Sequence, residues 1–224
     1  MTSTIQLGSG YNIFPSILEP SECDEILGAL AGAQRSKAGA RHLLANPVVA
    51  ALADDPRLVR LASEFLSKVA VPFRATYFDK SADSNWLVPW HQDTALPLKN
   101  KFDAEGWGPW SVKKGVHYAH APTWPLSRVI ALRVHLDDSR SDNGPLTVIP
   151  GSHELGVLTD AEVSETAHRS KPAECVVARG GVIAMRPLLI HSSPKSISAD
   201  PRRVLHIEYA DALRLAEGIE LAIA

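Results

Sequence analysis

At Val71-Pro72 the chain changes period. Before that point apolar residues recur at helical spacing. Beyond it they alternate in short runs broken by turn residues, which is the pattern of β-strands. Strands are expected at Phe73 to Asp79, Val88 to Thr94, Val116 to Ala121, Val129 to Asp137, Leu146 to Ile149, Glu174 to Val177, Val182 to Arg186 and Val204 to Tyr209. Asn143-Gly144 and Gly180-Gly181 are tight-turn signals among them. Some eight short strands after a helical prefix predict a mainly β chain of the α+β kind. The expected core is a jelly roll, or double-stranded β-helix, with helices packed outside one sheet.

Three helices are predicted in the prefix. Ser21 is the expected N-cap of the first, with Asp24 in a weak capping-box position and Ile26, Leu27 and Leu30 as its apolar stripe. The second starts near Pro47. The third follows Asp55-Pro56, with Leu58, Leu61, Ala62, Phe65 and Val69 at helical spacing. A chain of 224 residues suits one well-buried domain, and no repeat or internal boundary divides it. It is therefore read as a single unit over 1–224, with a helical prefix about 1–71 and a β core about 72–210. Residues 96–126 stand out as a long segment of little periodicity carrying Trp107, Trp110 and Trp124. Long irregular segments in compact domains tend to be lids, and this one starts three residues after Asp93.

Net charge is −2 and no run of Lys or Arg is long enough for a nucleic-acid footprint. Nothing approaches the length of a membrane span, and Met1 to Gly10 lacks a basic-then-apolar leader. Cys23 and Cys175 form no CxxC pattern and read as buried thiols in a reducing cytoplasm. The expected partner is a small-molecule substrate, and nothing in the chain sets an oligomeric state.

The residues that point to chemistry are His91, Asp93, His191 and Arg202. Side chains at i and i+2 of a strand share a face, so His91-Gln92-Asp93 can aim an imidazole and a carboxylate at one point. With a second histidine from a distant strand, this becomes a two-histidine, one-carboxylate facial set. Such a set leaves positions open for a co-substrate and O2 on Fe(II). Arg202, eleven positions after His191, adds a planar fork suited to a carboxylate such as that of 2-oxoglutarate. A second triplet, His135-Leu136-Asp137, also falls on an expected strand, and periodicity leaves either face free to point inward. Asp137 runs straight into a turn, so turn chemistry is its ordinary reading.

Three stretches resemble the phytanoyl-CoA dioxygenase family. Asn85-Trp86-Leu87-Val88-Pro89-Trp90-His91-Gln92-Asp93 looks like its first metal motif. Asp138 through Asn143-Gly144-Pro145-Leu146-Thr147-Val148-Ile149-Pro150-Gly151-Ser152-His153 is similar to its central hairpin. His191-Ser192-Ser193, followed by Arg202-Arg203-Val204-Leu205, resembles its second metal motif and co-substrate arginine. The resemblance covers roughly Phe73 to Tyr209. It implies that His91, Asp93 and His191 hold Fe(II) and that Arg202 and Ser193 grip the distal carboxylate of 2-oxoglutarate. The implied reaction consumes O2 and releases succinate and CO2, most simply with hydroxylation of an unactivated C–H bond of a small metabolite. Related halogenases lack the carboxylate, so Asp93 favours hydroxylation, with desaturation or ring chemistry open. Arg203 is expected to face solvent or substrate.

Lys80 and Asn85 are further candidates for co-substrate or substrate contact, and Trp110, His117, His120, Arg133 and His135 for the substrate side. Trp86 and Phe78 default to the core. Two rival readings use the same donors: a non-catalytic metal-binding jelly-roll module, and a metal-dependent hydrolase in which zinc takes the three ligands plus water.

Overall fold

A computed structural model describes residues 7–32, 39–81 and 84–224. Residues 1–6, part of both the helical prefix and the segment read for a leader, lie outside the described residues, as do 33–38 and 82–83. The strands in chain order are β1 (Tyr11–Phe14), β2 (Ala40–Arg41), β3 (Val71–Lys80), β4 (Val88–His91), β5 (Ala95–Leu98), β6 (Trp110–Lys113), β7 (Val116–His120), β8 (Val129–His135), β9 (Leu146–Val148), β10 (Ala173–Cys175), β11 (Val182–Met185), β12 (His191–Ser193), β13 (Arg202–Ala210), β14 (Arg214–Ala216) and β15 (Ile219–Glu220). The α-helices are α1 (Pro20–Leu30), α2 (Pro47–Ala53), α3 (Pro56–Leu66), α4 (Thr123–Leu126) and α5 (Asp160–Arg169).

The strands build a large antiparallel sheet, ordered β1-β11-β8-β13-β3-β2, and a smaller one, β10-β9-β12-β4. The two sheets pack through Ala131, Ile183 and Met185 of one against Leu146, Val148 and Cys175 of the other. On the opposite face of the large sheet, Tyr77, Leu132, Val134, Leu205, Ile207 and Tyr209 meet Ile26, Leu30, Leu58, Leu61 and Phe65 of the helices. Burying each such side chain contributes about 1.5–3 kcal/mol, so this face anchors the sheet's outer side.

The period-2 code explains what is left inward. On β13 the odd positions Leu205, Ile207 and Tyr209 face the helices, which turns Arg202, His206 and Glu208 toward the small sheet. On β3, Ala75 and Tyr77 pack outward, leaving Arg74, Thr76, Phe78 and Lys80 inward. On β8, Ile130, Leu132 and Val134 pack outward and Arg133 and His135 point in. The inner face of the large sheet is therefore unusually polar for a buried surface, which marks it as a site.

Several local expectations change. Helix α1 starts at Pro20 with Glu19, not Ser21, at its cap, and Glu22, not Asp24, accepts from the Glu19 N–H at 2.7 Å. Proline is favoured at the first helical position, and that shifts the start by two residues. Asn46 and Asp55 cap α2 and α3 through their side chains. The predicted Val88–Thr94 strand stops at His91. The segment 96–126 is less irregular than expected: besides the expected strand near Val116 it supplies β5 and β6, and the three form an antiparallel sheet, β5-β7-β6, followed by α4. Helix α5 and the strands β1, β2, β14 and β15 were not foreseen. Among the described residues, no helix is long and apolar enough to cross a membrane, and both cysteines are free and buried.

Candidate metal centre and its two chambers

β12 lies between β9 and β4 in the small sheet, and the register pairs His191 directly with His91. Their ring centroids are 4.1 Å apart. In each ring Nδ1–H donates to a carbonyl two residues upstream, Pro89 at 2.9 Å and Leu189 at 2.8 Å. That fixes the tautomer and leaves both Nε2 lone pairs free. Burial pushes the His191 imidazole down to about 4, so it is neutral and able to ligate at neutral pH.

Asp93 completes the group by a route the strand argument missed. It lies in the loop after β4, where its N–H donates to Pro187 at 2.9 Å. Gln92 pins the same loop: its amide donates to the carbonyls of Gly156 and Leu188, and its oxygen accepts from the Leu158 N–H. The Asp93 carboxylate then stands 3.8 Å from His91 Nε2 and 3.6 Å from His191 Nε2. Burial opposes its charge, but His191 and His91 outweigh that and hold the carboxyl below the ordinary range. All three donor atoms fall within 4.8 Å of one another, the only such group of histidine, cysteine and carboxylate donors among the described residues.

Two cavities meet at this triad, with Asp93 and Phe78 lining both. The inner one is walled by Phe78, Trp86, Val88 and Leu146 and floored by Lys80, Arg133, Ser193 and Arg202. Lys80 and Arg202 are direct cross-strand partners, and like charges so placed repel. Ser193 Oγ sits between them, 2.7 Å from Lys80 Nζ and 3.2 Å from an Arg202 Nη, and donates to the Gly144 carbonyl at 2.7 Å. Arg202 Nε donates to the Asn143 carbonyl at 3.3 Å, while Nη1 is buried with no partner. An orphaned guanidinium N–H beside a second cation, neither bonded to a carboxylate among the described residues, fits an anionic ligand. Burial, Arg202 and Arg133 together press the Lys80 amine down to about 7, and burial with Arg133 lowers Arg202 to about 9.

The outer cavity, about 200 Å³, is lined by Arg41, Arg74, Lys113, Tyr118, His120 and Glu208 among others. Arg74 and Glu208 are cross-strand partners joined by a bidentate ion pair, and Arg74 also donates to the Ala95 carbonyl at 2.9 Å. His206 stands beside them, its Nδ1 accepting from Arg133 at 3.2 Å. Burial, reinforced by Arg133, lowers His206 to about 3, so the ring is neutral.

The remaining sequence-derived candidates fall in different places. Lys80, Ser193, Arg133 and Arg202 line the inner cavity, and His120 lines the outer one, bonded to Thr94 Oγ1 at 2.7 Å. Asn85 lies outside both linings, its amide exchanging two hydrogen bonds with the Ser196 backbone. Trp110 packs on Phe102, with ring centroids 5.1 Å apart, and His117 sits on β7 outside both linings. His135 is buried with neither ring nitrogen bonded and also lines neither cavity. Its companion Asp137 is held bidentately by Arg203 at 2.7 Å, so the second triplet assembles no metal site; Arg203 lies outside both linings, half-buried on the solvent side. Trp86 and Phe78, assigned to the core from sequence, are walls of the inner cavity, with Lys80 Nζ 5.7 Å from the Trp86 ring centre. The residues missed outright are Arg41, Arg74, Lys113, His206 and Glu208. Alternation of His206 and Glu208 with Leu205, Ile207 and Tyr209, in phase with Arg202, was the available signal.

The profile of the phytanoyl-CoA dioxygenase (PhyH) family matches residues 8–204. L-proline trans-4-hydroxylase of Streptomyces griseoviridis is 29% identical over 190 residues, covering 73% of this chain and 63% of that protein. Ectoine dioxygenase of Sphingopyxis alaskensis is 26% identical over 186 residues, covering 73% and 54%. The chain thus spans less than two thirds of the length of both curated relatives. Among solved structures, the non-heme alpha ketoglutarate dependent carbocyclase SnoK from nogalamycin biosynthesis superposes with a TM-score of 0.70 at 17% identity, over 92% of this chain and 81% of that one. EctD from S. alaskensis with 2-oxoglutarate and 5-hydroxyectoine gives 0.68 at 22% identity, over 91% and 72%. With a profile match spanning most of its length, this chain belongs to the phytanoyl-CoA dioxygenase (PhyH) family.

Proposed function

We propose that this protein is a non-haem Fe(II)- and 2-oxoglutarate-dependent dioxygenase that hydroxylates an unactivated C–H bond of a small metabolite, with succinate and CO2 as co-products. The observation that carries the reading is the joining of a His–Asp–His group to a chamber whose floor cations, Lys80 and Arg202, have no carboxylate partner among the described residues. The two curated relatives are both named for oxidation of small molecules. The sandwich is read as a double-stranded β-helix and the described residues as one domain.

In this reading His91, Asp93 and His191 hold the iron through two Nε2 atoms and one carboxylate oxygen. Bound together, iron, 2-oxoglutarate and O2 supply the oxidising power for the C–H bond. The chain's own part is placement. Arg202, Ser193 and Lys80 bind the distal carboxylate of 2-oxoglutarate, and Arg202 offers the free Nη1–H that is otherwise orphaned. Phe78, Trp86, Val88 and Leu146 keep the chamber dry, which strengthens every charge interaction inside it. The neutral His206 and the closed Arg74–Glu208 pair place no loose proton donor or free carboxylate beside the metal. A hydrolase would have no use for the cation-floored chamber, and a pure binding module none for the open side of the triad.

The test is anaerobic addition of Fe(II) and 2-oxoglutarate, read as a metal-to-ligand charge-transfer band. A band lost in Asp93→Ala and His191→Ala supports the proposal, as does succinate formation once O2 is admitted. Iron-loaded protein that takes up 2-oxoglutarate without the band overturns it.

A further inference from the structure

The outer chamber holds more positive charge than its own carboxylates balance. Arg74 is fully engaged: two of its nitrogens bond Glu208 and the third bonds the Ala95 carbonyl. Glu208 is closed by the same pair, and Asp93 belongs to the metal centre. That leaves Arg41 and Lys113, neither of which has a carboxylate partner among the described residues. Lys113 Nζ rests only against the Tyr118 ring, 4.8 Å from its centre. Tyr118 is itself fixed, stacked on His42 at 9° and hydrogen-bonded to its Nε2 at 2.9 Å, so Lys113 rests on an anchored ring.

From this arrangement we propose that the outer chamber takes its substrate by an anionic group, a carboxylate above all, gripped by Arg41 and Lys113 while the carbon to be oxidised lies toward Asp93. The proposal rests on the oxygenase reading above and names the substrate class for that site. Two supports are independent of each other. Burial, Arg41 and Arg74 all press the Lys113 amine below its ordinary value, and the same cations with Lys114 add to burial in lowering His42. Like-charge crowding of this kind is relieved by an incoming anion. The cavity, about 200 Å³, is also below the roughly 300–1,000 Å³ of drug-sized pockets. It suits a free metabolite acid.

The experiment uses the whole chain and a panel of free amino acids and short carboxylic acids, each paired with its methyl ester. Binding is read by calorimetry, and independently by displacement of the Fe(II)–2-oxoglutarate band under anaerobic conditions. At least one acid is expected to bind ten-fold or more tighter than its ester. In Arg41→Gln/Lys113→Gln that preference should fall at least ten-fold with the band itself unchanged, and Lys113→Arg should restore part of it. Esters equal to acids, a panel in which no acid binds, or a double variant that keeps the preference would each overturn the proposal. Acid preference in protein that never forms the band would sink the oxygenase reading and leave the anion site standing.

Discussion

Lys80 and Arg202 face each other across β3 and β13 with Ser193 between them, and this pairing makes the sharpest residue-level predictions. Charge-assisted hydrogen bonds of this kind are each worth about 1.5–3 kcal/mol. Arg202→Ala should therefore weaken 2-oxoglutarate binding by about 10- to 100-fold. Arg203→Ala, which breaks only the Asp137 pair, should leave binding within about two-fold, an expectation set by its separation from the chamber. Titration of the charge-transfer band compares the two. Lys80 adds a pH dependence whose sign is fixed. Its folded pKa of about 7 means that the free protein carries the ammonium below that pH and loses it above. Pairing with the dianion needs the ammonium, so affinity should fall as pH rises above about 7, approaching ten-fold per unit. A Lys80→Met variant should bind more weakly and show a flat profile between about pH 6 and 8; the same slope in that variant would assign it to another group. His91, Asp93, His191 and Arg202 were all readable from type and spacing. Lys80 stood only as one of two upstream candidates, because its worth depends on sitting opposite Arg202.

At the level of elements, the Asn143-Gly144 turn connects local backbone conformation to the site. Its two carbonyls accept from Arg202 and from Ser193. Gly144 has φ +71°, and a Cβ there would lie 2.5 Å from the Pro194 carbonyl oxygen and 2.9 Å from Lys80 Cδ. Gly144→Ala should therefore displace both the Ser193 and Lys80 groups. We expect at least a ten-fold rise in the dissociation constant for 2-oxoglutarate alongside a loss of stability. A variant that loses stability but binds normally would show that the turn supports only the fold. The turn was legible as a turn; its link to Lys80 was not, since Pro194 and Lys80 reach it from other strands. Helix α5 illustrates the converse. Its Thr159–Glu162 capping box is plain in the sequence, and its buried Val163 and Ala167 brace Ile190 and Trp90 beside the metal strands. Elsewhere tertiary pairing overrode local texture: Pro97 and the Gly-rich stretch near Trp107 hid β5 and β6, the two partners of the expected strand β7, from a periodicity reading.

Across the whole molecule, the site is a joint between two sheets. The three candidate metal donors lie on β4, β12 and the loop after β4, while Arg202 and Lys80 belong to the large sheet backed by α1–α3. A 2-oxoglutarate held at both ends would tie the sheets together. Ligand at a hundred-fold excess over its dissociation constant stabilises by about 2.7 kcal/mol. Anaerobic Fe(II) and 2-oxoglutarate together should thus raise Tm by several degrees more than 2-oxoglutarate alone. Equal shifts would mean that the co-substrate does not reach the metal. The Arg74–Glu208 pair belongs to the same joint: Glu208→Gln strands a buried guanidinium and should cost about 3–5 kcal/mol, measured by urea unfolding. A loss below about 1 kcal/mol would show that solvent reaches the pair. The sequence by itself determined the chemistry types, the β-rich core and the outward-facing helices, because side-chain period and donor identity are local properties. Only the tertiary structure decided which polar face turned inward, which cations went without partners and how Asp93 reached the histidines. Those depend on register between strands far apart in the chain, and register is set by the packing of the whole sandwich.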